Sequence, residues 1–382
     1  MSELLAYFET QKQAMTDLLI ELISYETPTK NKAAVDVLGN VMMQKFQERG
    51  ASSITRIAQT DVGDFLLAKW NEDAPGKPIM FLIHIDTVWD LGTLAERPTR
   101  IEDDGKLYGP GAVDMKGGIT LVLETIRGLN ELGQMPNRPV WVLMTSDEEI
   151  GSVNSIPVLR DVAKNVGLVL VMEPGTKEGA LKTWRKGLAT YRLHVEGRAS
   201  HAGNAPEQGI NAIVELSQQI LKVNQLNDLK NGTSVSVTML EGGTAGNVIP
   251  ASASAYIDTR VLTMRAHESL REGIFDVNPF IPGAKVWIEE IHSREPMEHN
   301  DQMKATFAQC KAIGEKYGVT VREDGSGGGS DGNITAAMGV PTLDGLGPQG
   351  DGLHAIHEQV VLSSLPTRAT LLAGMLKDWQ FS

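Results

Sequence analysis

Apolar residues in the first thirty positions recur at helical spacing: Leu4, Leu5 and Phe8, then Met15, Leu18, Leu19, Leu22 and Ile23. That stripe predicts an amphipathic surface helix and not a signal peptide, which needs a basic start and an unbroken apolar core. A second helix is expected over 30–50, ending near Gly50. Short apolar runs then alternate with longer helical patterns. Strands are expected at 65–70, 79–85, 140–145 and 168–172, with helices at 117–132 and 153–164. The alternation implies an α/β domain with a mainly parallel sheet and helices on both faces. In such sheets, sites gather beyond the carboxyl ends of the strands.

The pattern changes after about residue 183. Residues 188–195 alternate like a strand, 210–223 are helical, 234–240 and 253–261 alternate again, 265–275 are helical, and 284–291 form a last strand. The order βαββαβ is a ferredoxin-like α+β signature. The α/β style resumes after about residue 295. The chain therefore reads as a discontinuous α/β domain, 1–183 with 294–382, carrying an inserted α+β domain at 184–293.

Composition narrows the function classes. With 382 residues, 41% hydrophobic and 22% charged, the chain suits two globular domains. A net charge of −13 argues against nucleic acid and anionic membrane surfaces as partners. No apolar run approaches the roughly 18 residues of a membrane span. Cys310 is the only cysteine, which excludes a disulfide framework and a cysteine-rich metal site, and fits a cytoplasmic protein.

Polar residues follow the expected strands in a consistent way. The run FLIHIDTVWD (81–90) ends in His84 and Asp86, which share a face on an extended backbone. GPGAVDMKGG (109–118) carries Asp114 just before a helix, and it lacks the GK[ST] ending of a phosphate loop. SDEEIGS (146–152) brings Asp147, Glu148 and Glu149. Glu173 follows another strand, and GLGPQGDGLHAIHE (345–358) brings His354 and His357. Each alone is more often a solvated turn or a helix start. Together, strand-end acids and imidazoles converge in a doubly wound sheet. Packed carboxylates need a compensating charge, and no cluster of Arg or Lys adjoins them in sequence. A nitrogen and oxygen donor set without sulfur suits zinc, manganese or cobalt. Two His with three carboxylates suit two ions roughly 3.5–4 Å apart.

The motifs HxDTV (84–88), GxxDMKGG (111–118), DEExGS (147–152), Glu173-Pro174 and GxxH (351–354), in this order, resemble the dizinc metallopeptidase family of glutamate carboxypeptidases, aminoacylases and succinyl-diaminopimelate desuccinylases. GRASHAGNAPEQGINAI (197–213) and GGTAGNVIPASASAYIDTR (242–260) extend the resemblance through the inserted domain. The sequence is most similar to the bacterial branch that removes C-terminal glutamate from folate-like substrates.

The resemblance implies a zinc-exopeptidase fold with two Zn2+ per subunit, Co2+ or Mn2+ being possible substitutes. His84 and Glu173 would hold one ion, Glu149 and His354 the other, and Asp114 both. Asp114–Met115 would be a cis peptide. Asp86 would accept the second ring N–H of His84. Glu148 would be the general base that takes a proton from the metal-held water and passes it to the leaving amine. His201 would reach the active site of a partner subunit and stabilise the oxyanion. Arg260 would clamp a substrate carboxylate, with Asn247 nearby. Backbone N–H groups at Gly327, Gly328, Gly329 and Gly347 would approach the substrate. Arg185 and Lys186 would serve either carboxylate recognition or a charged hinge surface, with domain closure about 183–187 and 290–296. The inserted domain would act as lid and as the interface of a homodimer.

Two positions depart from the family pattern. Its GGGTD reads Gly-Gly-Gly-Ser330-Asp331 here, and LKTWRKG (181–187) is bulkier and more basic than in the folate-cleaving branch. Glu at 173 goes with carboxypeptidase, deacylase and desuccinylase branches. The expected function is hydrolysis of an amide next to a free carboxylate in a small molecule or short peptide, releasing C-terminal glutamate. An N-acyl-amino-acid deacylase is the alternative, and a non-catalytic binding relative a remote one.

Overall fold

The computed structural model describes residues 2–381. By contacts the chain divides into two compact units. The first comprises Met1–Thr183, His299–Gly325 and Ser330–Ser382, and the second Trp184–Glu298 with Ser326–Gly329. The second unit thus runs past the expected end at 293 and takes in the glycine loop of 326–329. The reason is local: Lys186 N–H donates to Ser326 O, and Arg185 donates to the carbonyls of Gly328 and Gly329.

The first unit is built on a six-stranded sheet of mixed direction. Ile79–His84 lies inside it, between Val140–Thr145 and Leu168–Val171, and pairs in parallel with both. Every residue of Ile79–His84 is buried, as expected of a strand covered on both faces. Thr342–Leu343 extends the parallel part. Phe65–Trp70 and Ser53–Ile57 extend the other side in antiparallel pairings. The strand Ser53–Ile57 has neither an apolar run nor a clean alternation, and its residues are half-buried or exposed, as at an edge.

Helices cover the sheet. One set of side chains, Met80, Leu82, Leu143, Val169 and Val171, packs with Leu159 and Ile334 from Ser155–Ala163 and Gly332–Ala337. Gly117–Glu131 packs against Ser364–Asp378, which also meets Glu3–Thr10 and Asp301–Tyr317. The expected single N-terminal helix is two, Glu3–Thr10 and Lys12–Ile23, and their apolar stripe is core: Leu4, Phe8, Met15, Leu19, Leu22 and Ile23 are buried. Each such side chain contributes about 1.5–3 kcal/mol on burial.

A smaller antiparallel sheet, ordered Gly350–Asp351, Gln359–Val361, Lys106–Tyr108 and Arg100–Ile101, joins the chain's two distant parts. It sets the turn of 352–358 beside the segment that follows Tyr108.

In the second unit, Gly187–Glu196, Ser234–Gly242, Ser252–Val261 and Lys285–Arg294 form one antiparallel sheet with the last-made strand and the third flanking the first. Ala212–Asn224 and Met264–Phe275 supply the helices of a βαββαβ order. Its core joins Tyr191, Leu193 and Val195 to Leu216, Ile257 and Ile274. Among the described residues no helix is long and apolar enough to cross a membrane.

Candidate metal centre

Sheet register decides which side chains meet. His84 lies opposite Thr145, and Leu82 opposite Val171. The carboxyl ends of three strands thus fall at one level, and the residues that follow them are His84 and Asp86, Asp147 to Glu149, and Glu173. Asp114 arrives on the segment before Gly117–Glu131. That helix sits close to the strand end because Gly118 has no side chain: a Cβ there would lie 2.2 Å from the carbonyl oxygen of Met172. The Asp114–Met115 peptide is cis, as the resemblance implies. His354 comes from the turn of the small sheet and holds a left-handed backbone, φ 57°, which costs a non-glycine residue strain that functional sites tolerate.

The side chains converge. Nε2 of His84 lies 3.3 Å from Asp114 Oδ1 and 3.3 Å from Glu173 Oε1. Nε2 of His354 lies 3.3 Å from Asp114 Oδ2 and 3.1 Å from Glu149 Oε2. One carboxylate therefore stands between two imidazole–carboxylate pairs. Glu148 is part of the same cluster: donor atoms of His84, Glu148 and Glu173 lie within 4.8 Å of one another, as do those of His84, Asp114 and Glu149.

The electrostatics call for positive charge. Burial favours a neutral His84, but Asp114, Asp86 and Glu173 outweigh it and hold the imidazole well above its ordinary pKa. Asp114 and Glu149 raise His354 to about 10. Burial, reinforced by the charge of Asp114, raises Glu149 to about 7. Asp114 is itself buried, yet His354 and His84 hold its carboxyl well below the usual range. The acids thus draw positive charge to this place, by proton or by metal. His84 Nε2 and Asp114 Oδ1 are also buried without a hydrogen bond. Divalent metal fits this set: neutral imidazole nitrogens, carboxylate oxygens and two buried donor atoms otherwise unsatisfied.

The three acids of SDEEIGS have different surroundings. Asp147 turns inward, and its Oδ2 accepts the N–H groups of Asn154 and Ser155 at 2.7 and 3.1 Å, at the start of Ser155–Ala163. Glu148 and Glu149 are left to face the cluster. Ser330 and Asp331, the altered end of the glycine motif, are buried supports: Asp331 accepts a hydrogen bond from Ser152, and Ser330 donates to Asp344.

Asp86 faces His84 twice. Its carbonyl oxygen lies 3.1 Å from Nδ1, with hydrogen-bond geometry, and its Oδ1 lies 3.3 Å away. The expected carboxylate contact is thus shared with the main chain. Oδ2 accepts from Thr29 Oγ1 at 2.8 Å and from the N–H of Glu149 at 3.2 Å.

Sequence reasoning missed Glu358. This side chain is 1% exposed. Its Oε1 accepts the N–H groups of Val113 and Asp114 at 2.9 and 3.1 Å, and its Oε2 accepts Gly111 N–H and Trp89 Nε1–H, both at 2.8 Å. Burial pushes its carboxyl up, to about 7, against the pull of these donors. The available signal was a Glu four residues beyond a candidate imidazole, and three of its four partners are main-chain groups that no motif displays.

Two glycine expectations change. Gly347 N–H does not point to open space; it donates to Glu173 O at 2.8 Å. A Cβ at Gly347 would lie 2.5 Å from Met172 O and 2.7 Å from Glu173 O. Its small size serves the placing of Glu173. Gly328 N–H donates to Ser326 Oγ at 3.1 Å, and its carbonyl accepts from Arg185. Arg185 is buried, so the hinge-surface alternative does not hold for it.

The second unit carries the other expected residues. His201 lies in the short strand Ser200–His201, opposite Val248. Asn247 precedes that partner, and its carbonyl accepts Ala202 N–H at 2.9 Å. His201 Nδ1 accepts the N–H groups of Gly203 and Asn204 at 3.1 and 3.0 Å. In the neutral ring the proton therefore sits on Nε2, ready to donate. Arg260 already has a carboxylate: Nε and Nη2 donate to Asp258 at 3.0 and 3.0 Å.

Comparison with known proteins supplies the context. The profile of Peptidase family M20/M25/M40 matches residues 80–378. Carboxypeptidase G2 of a Pseudomonas strain is 30% identical over 374 residues, covering 96% of this chain and 90% of that protein. A succinyl-diaminopimelate desuccinylase of Legionella pneumophila is 27% identical, covering 94% and 96%. Among solved structures, aminopeptidase PepT of Bacillus cereus superposes with a TM-score of 0.74 at 21% identity, covering 96% of this chain and 98% of that one. A metallo-carboxypeptidase of Sulfolobus solfataricus superposes with a TM-score of 0.69 at 18% identity, covering 95% and 98%.

Proposed function

The chain belongs to peptidase family M20/M25/M40, and on that premise we propose that this hydrolase cleaves an amide bond next to a free carboxylate. The expected product is C-terminal glutamate, released from peptides or folate-like N-acyl-glutamates. The observation that carries the reading is Asp114, set between His84 with Glu173 and His354 with Glu149, with Glu148 in the same cluster.

His84 and Glu173 would hold one divalent ion and His354 and Glu149 a second, with Asp114 serving both. Zinc is the expected metal, with cobalt or manganese as substitutes. A metal held there would polarise the scissile carbonyl and acidify water. Glu148 takes a proton from the attacking water as the C–O bond forms. It returns that proton to the nitrogen as the C–N bond breaks. Asp86 keeps His84 in one ring orientation. His201, protonated on Nε2, would reach the active site of the partner subunit and donate to the oxyanion that develops there. Arg260 exchanges Asp258 for the substrate carboxylate, and Asn247 assists. A homodimer paired through the second unit and a cytoplasmic location complete the reading, both consistent with the family resemblance.

An N-acyl-amino-acid deacylase is the second reading, supported by the similarity to desuccinylases. Zinc-loaded protein should be offered folate, N-acetyl amino acids, an N-succinyl amino acid and dipeptides. Glutamate release from folate, abolished by a chelator and restored by zinc, is the expected result. Preference for N-acetyl or N-succinyl substrates would replace it with the deacylase reading. Full turnover by metal-free protein would end both, and absence of any bound metal at neutral pH would revive a binding role.

A further inference from the structure

Glu358 gathers four donors onto one buried carboxylate, and they come from separate parts of the chain. Trp89 follows the His84 strand end, Gly111 and Val113 belong to the segment before Gly117–Glu131, and the fourth donor is the main-chain N–H of Asp114 itself. Glu358 is also fixed to the turn of His354. Its N–H donates to Ala355 O at 3.0 Å, and its carbonyl accepts Gly109 N–H at 3.2 Å. Gly352, at φ 81°, leaves room for this: a Cβ there would lie 2.8 Å from Glu358 N. The main chain on either side is committed as well, since Gln359 pairs with Tyr108.

A surface salt bridge would be replaceable. A buried carboxylate that satisfies three amides of one four-residue stretch is not, because each loses its partner when the carboxylate is removed. The amides belong to residues that include Asp114, and the turn belongs to His354, whose ring nitrogen lies 3.3 Å from Asp114 Oδ2. Thus one side chain spans the two elements whose separation sets that contact.

We propose that Glu358 is a positioning residue: it locks the 109–114 segment to the 352–358 turn and thereby sets Asp114 against His354. The proposal rests on the reading of Asp114 and His354 as metal ligands. Its effect passes through them, because Glu358 has both oxygens committed to N–H donors and touches no substrate.

The test uses the full-length protein with Glu358→Gln, which keeps the shape but turns one acceptor into a donor facing N–H groups. Trp89→Phe serves as a milder second variant that removes a single donor. Three quantities are compared with wild type. Amide exchange of 109–116 in metal-free protein should accelerate about tenfold in Glu358→Gln, and less in Trp89→Phe. Zinc affinity, measured against a chromophoric chelator, should fall roughly 10–100-fold in Glu358→Gln. At saturating zinc, kcat should remain lowered while KM changes little. Wild-type exchange and wild-type zinc affinity in a folded Glu358→Gln protein would overturn the proposal. So would a drop in kcat with exchange unchanged, because Glu358 would then act by another route. If Glu358→Gln does not fold, unchanged exchange of 109–116 in Trp89→Phe overturns it and faster exchange supports it. A wild-type protein that binds no zinc would defeat the reading of the metal centre, yet the exchange arm would still report on the lock.

Discussion

The carboxylate of Asp86 accepts the main-chain N–H of Glu149 at 3.2 Å. The residue that faces His84 therefore also pins the turn that carries the opposite candidate ligand. Asp86→Ala should lower kcat by two orders of magnitude or so, comparable with other supporting groups around metals, roughly 10–100-fold each. Its metal loss should be milder than that of His84→Ala. Metal analysis beside steady-state kinetics checks both. Equal metal loss in the two variants would mean that Asp86 binds metal directly.

The proposed mechanism gives the neighbours Glu148 and Glu149 different tasks. Glu148→Ala should abolish turnover and leave metal content intact, while Glu149→Ala should lose metal. A Glu148→Ala protein that also loses metal would exchange the two roles. Glu149 lies 3.1 Å from His354 and Glu148 stands with His84 and Glu173; both have oxygens within reach of a metal, so metal content tells the roles apart.

Gly118→Ala tests the packing that delivers Asp114. The added Cβ would lie 2.2 Å from Met172 O, a main-chain atom next to Glu173. Overpacking of this kind costs about 1–3 kcal/mol. The thermal midpoint should fall, and zinc affinity with it, since helix and strand end cannot both hold position. A loss of midpoint alone would separate the helix from the site.

Arg260 and Asp258 form a two-pronged pair, which a substrate carboxylate would displace in the proposed reading. Arg260→Ala should raise KM by an amount matching a lost charged hydrogen bond, about 1.5–3 kcal/mol or roughly ten- to hundredfold. Asp258→Asn should lower KM for the same substrate by freeing the fork. Unchanged KM in both variants would remove Arg260 from substrate binding.

Cys310 is buried, and burial pushes its thiol up to about 12. At about pH 8 it remains protonated, and thiolate is the reactive form. Native protein should not react with an aromatic disulfide reagent, and denatured protein should react at this single position. Rapid labelling of the native protein would contradict the burial.

The strands at 65–70 and 140–145 were legible to the residue, because strands of a sheet covered on both faces are written as largely apolar runs. So was the βαββαβ order of the second unit, whose strands alternate cleanly. The strand Ser53–Ile57 escaped notice, since SITRI at an edge carries neither signal. The small sheet also escaped, its strands being two or three residues long. At the site, residue type and position single out a pool of acids and imidazoles, and the choice of His84, Asp114, Glu149, Glu173 and His354 among them rests on the family resemblance. Glu358 could not be named, because its partners, three main-chain N–H groups and the Trp89 indole, lie more than two hundred residues away in sequence. Gly347 was misread for a related reason: a glycine that admits a neighbouring backbone looks in sequence like one that admits a substrate.

The division of the first unit around the second has a consequence for biosynthesis. A ribosome makes His84, Asp114, Glu149 and Glu173 early, then the whole of Trp184–Glu298, and only afterwards His354 and Glu358. Until the last stretch emerges, the nascent chain holds a nest of acids with one imidazole and an unanchored Asp114 segment. Metal captured at that stage meets an incomplete cage. The full candidate donor set exists only once His354 and Glu358 have been made.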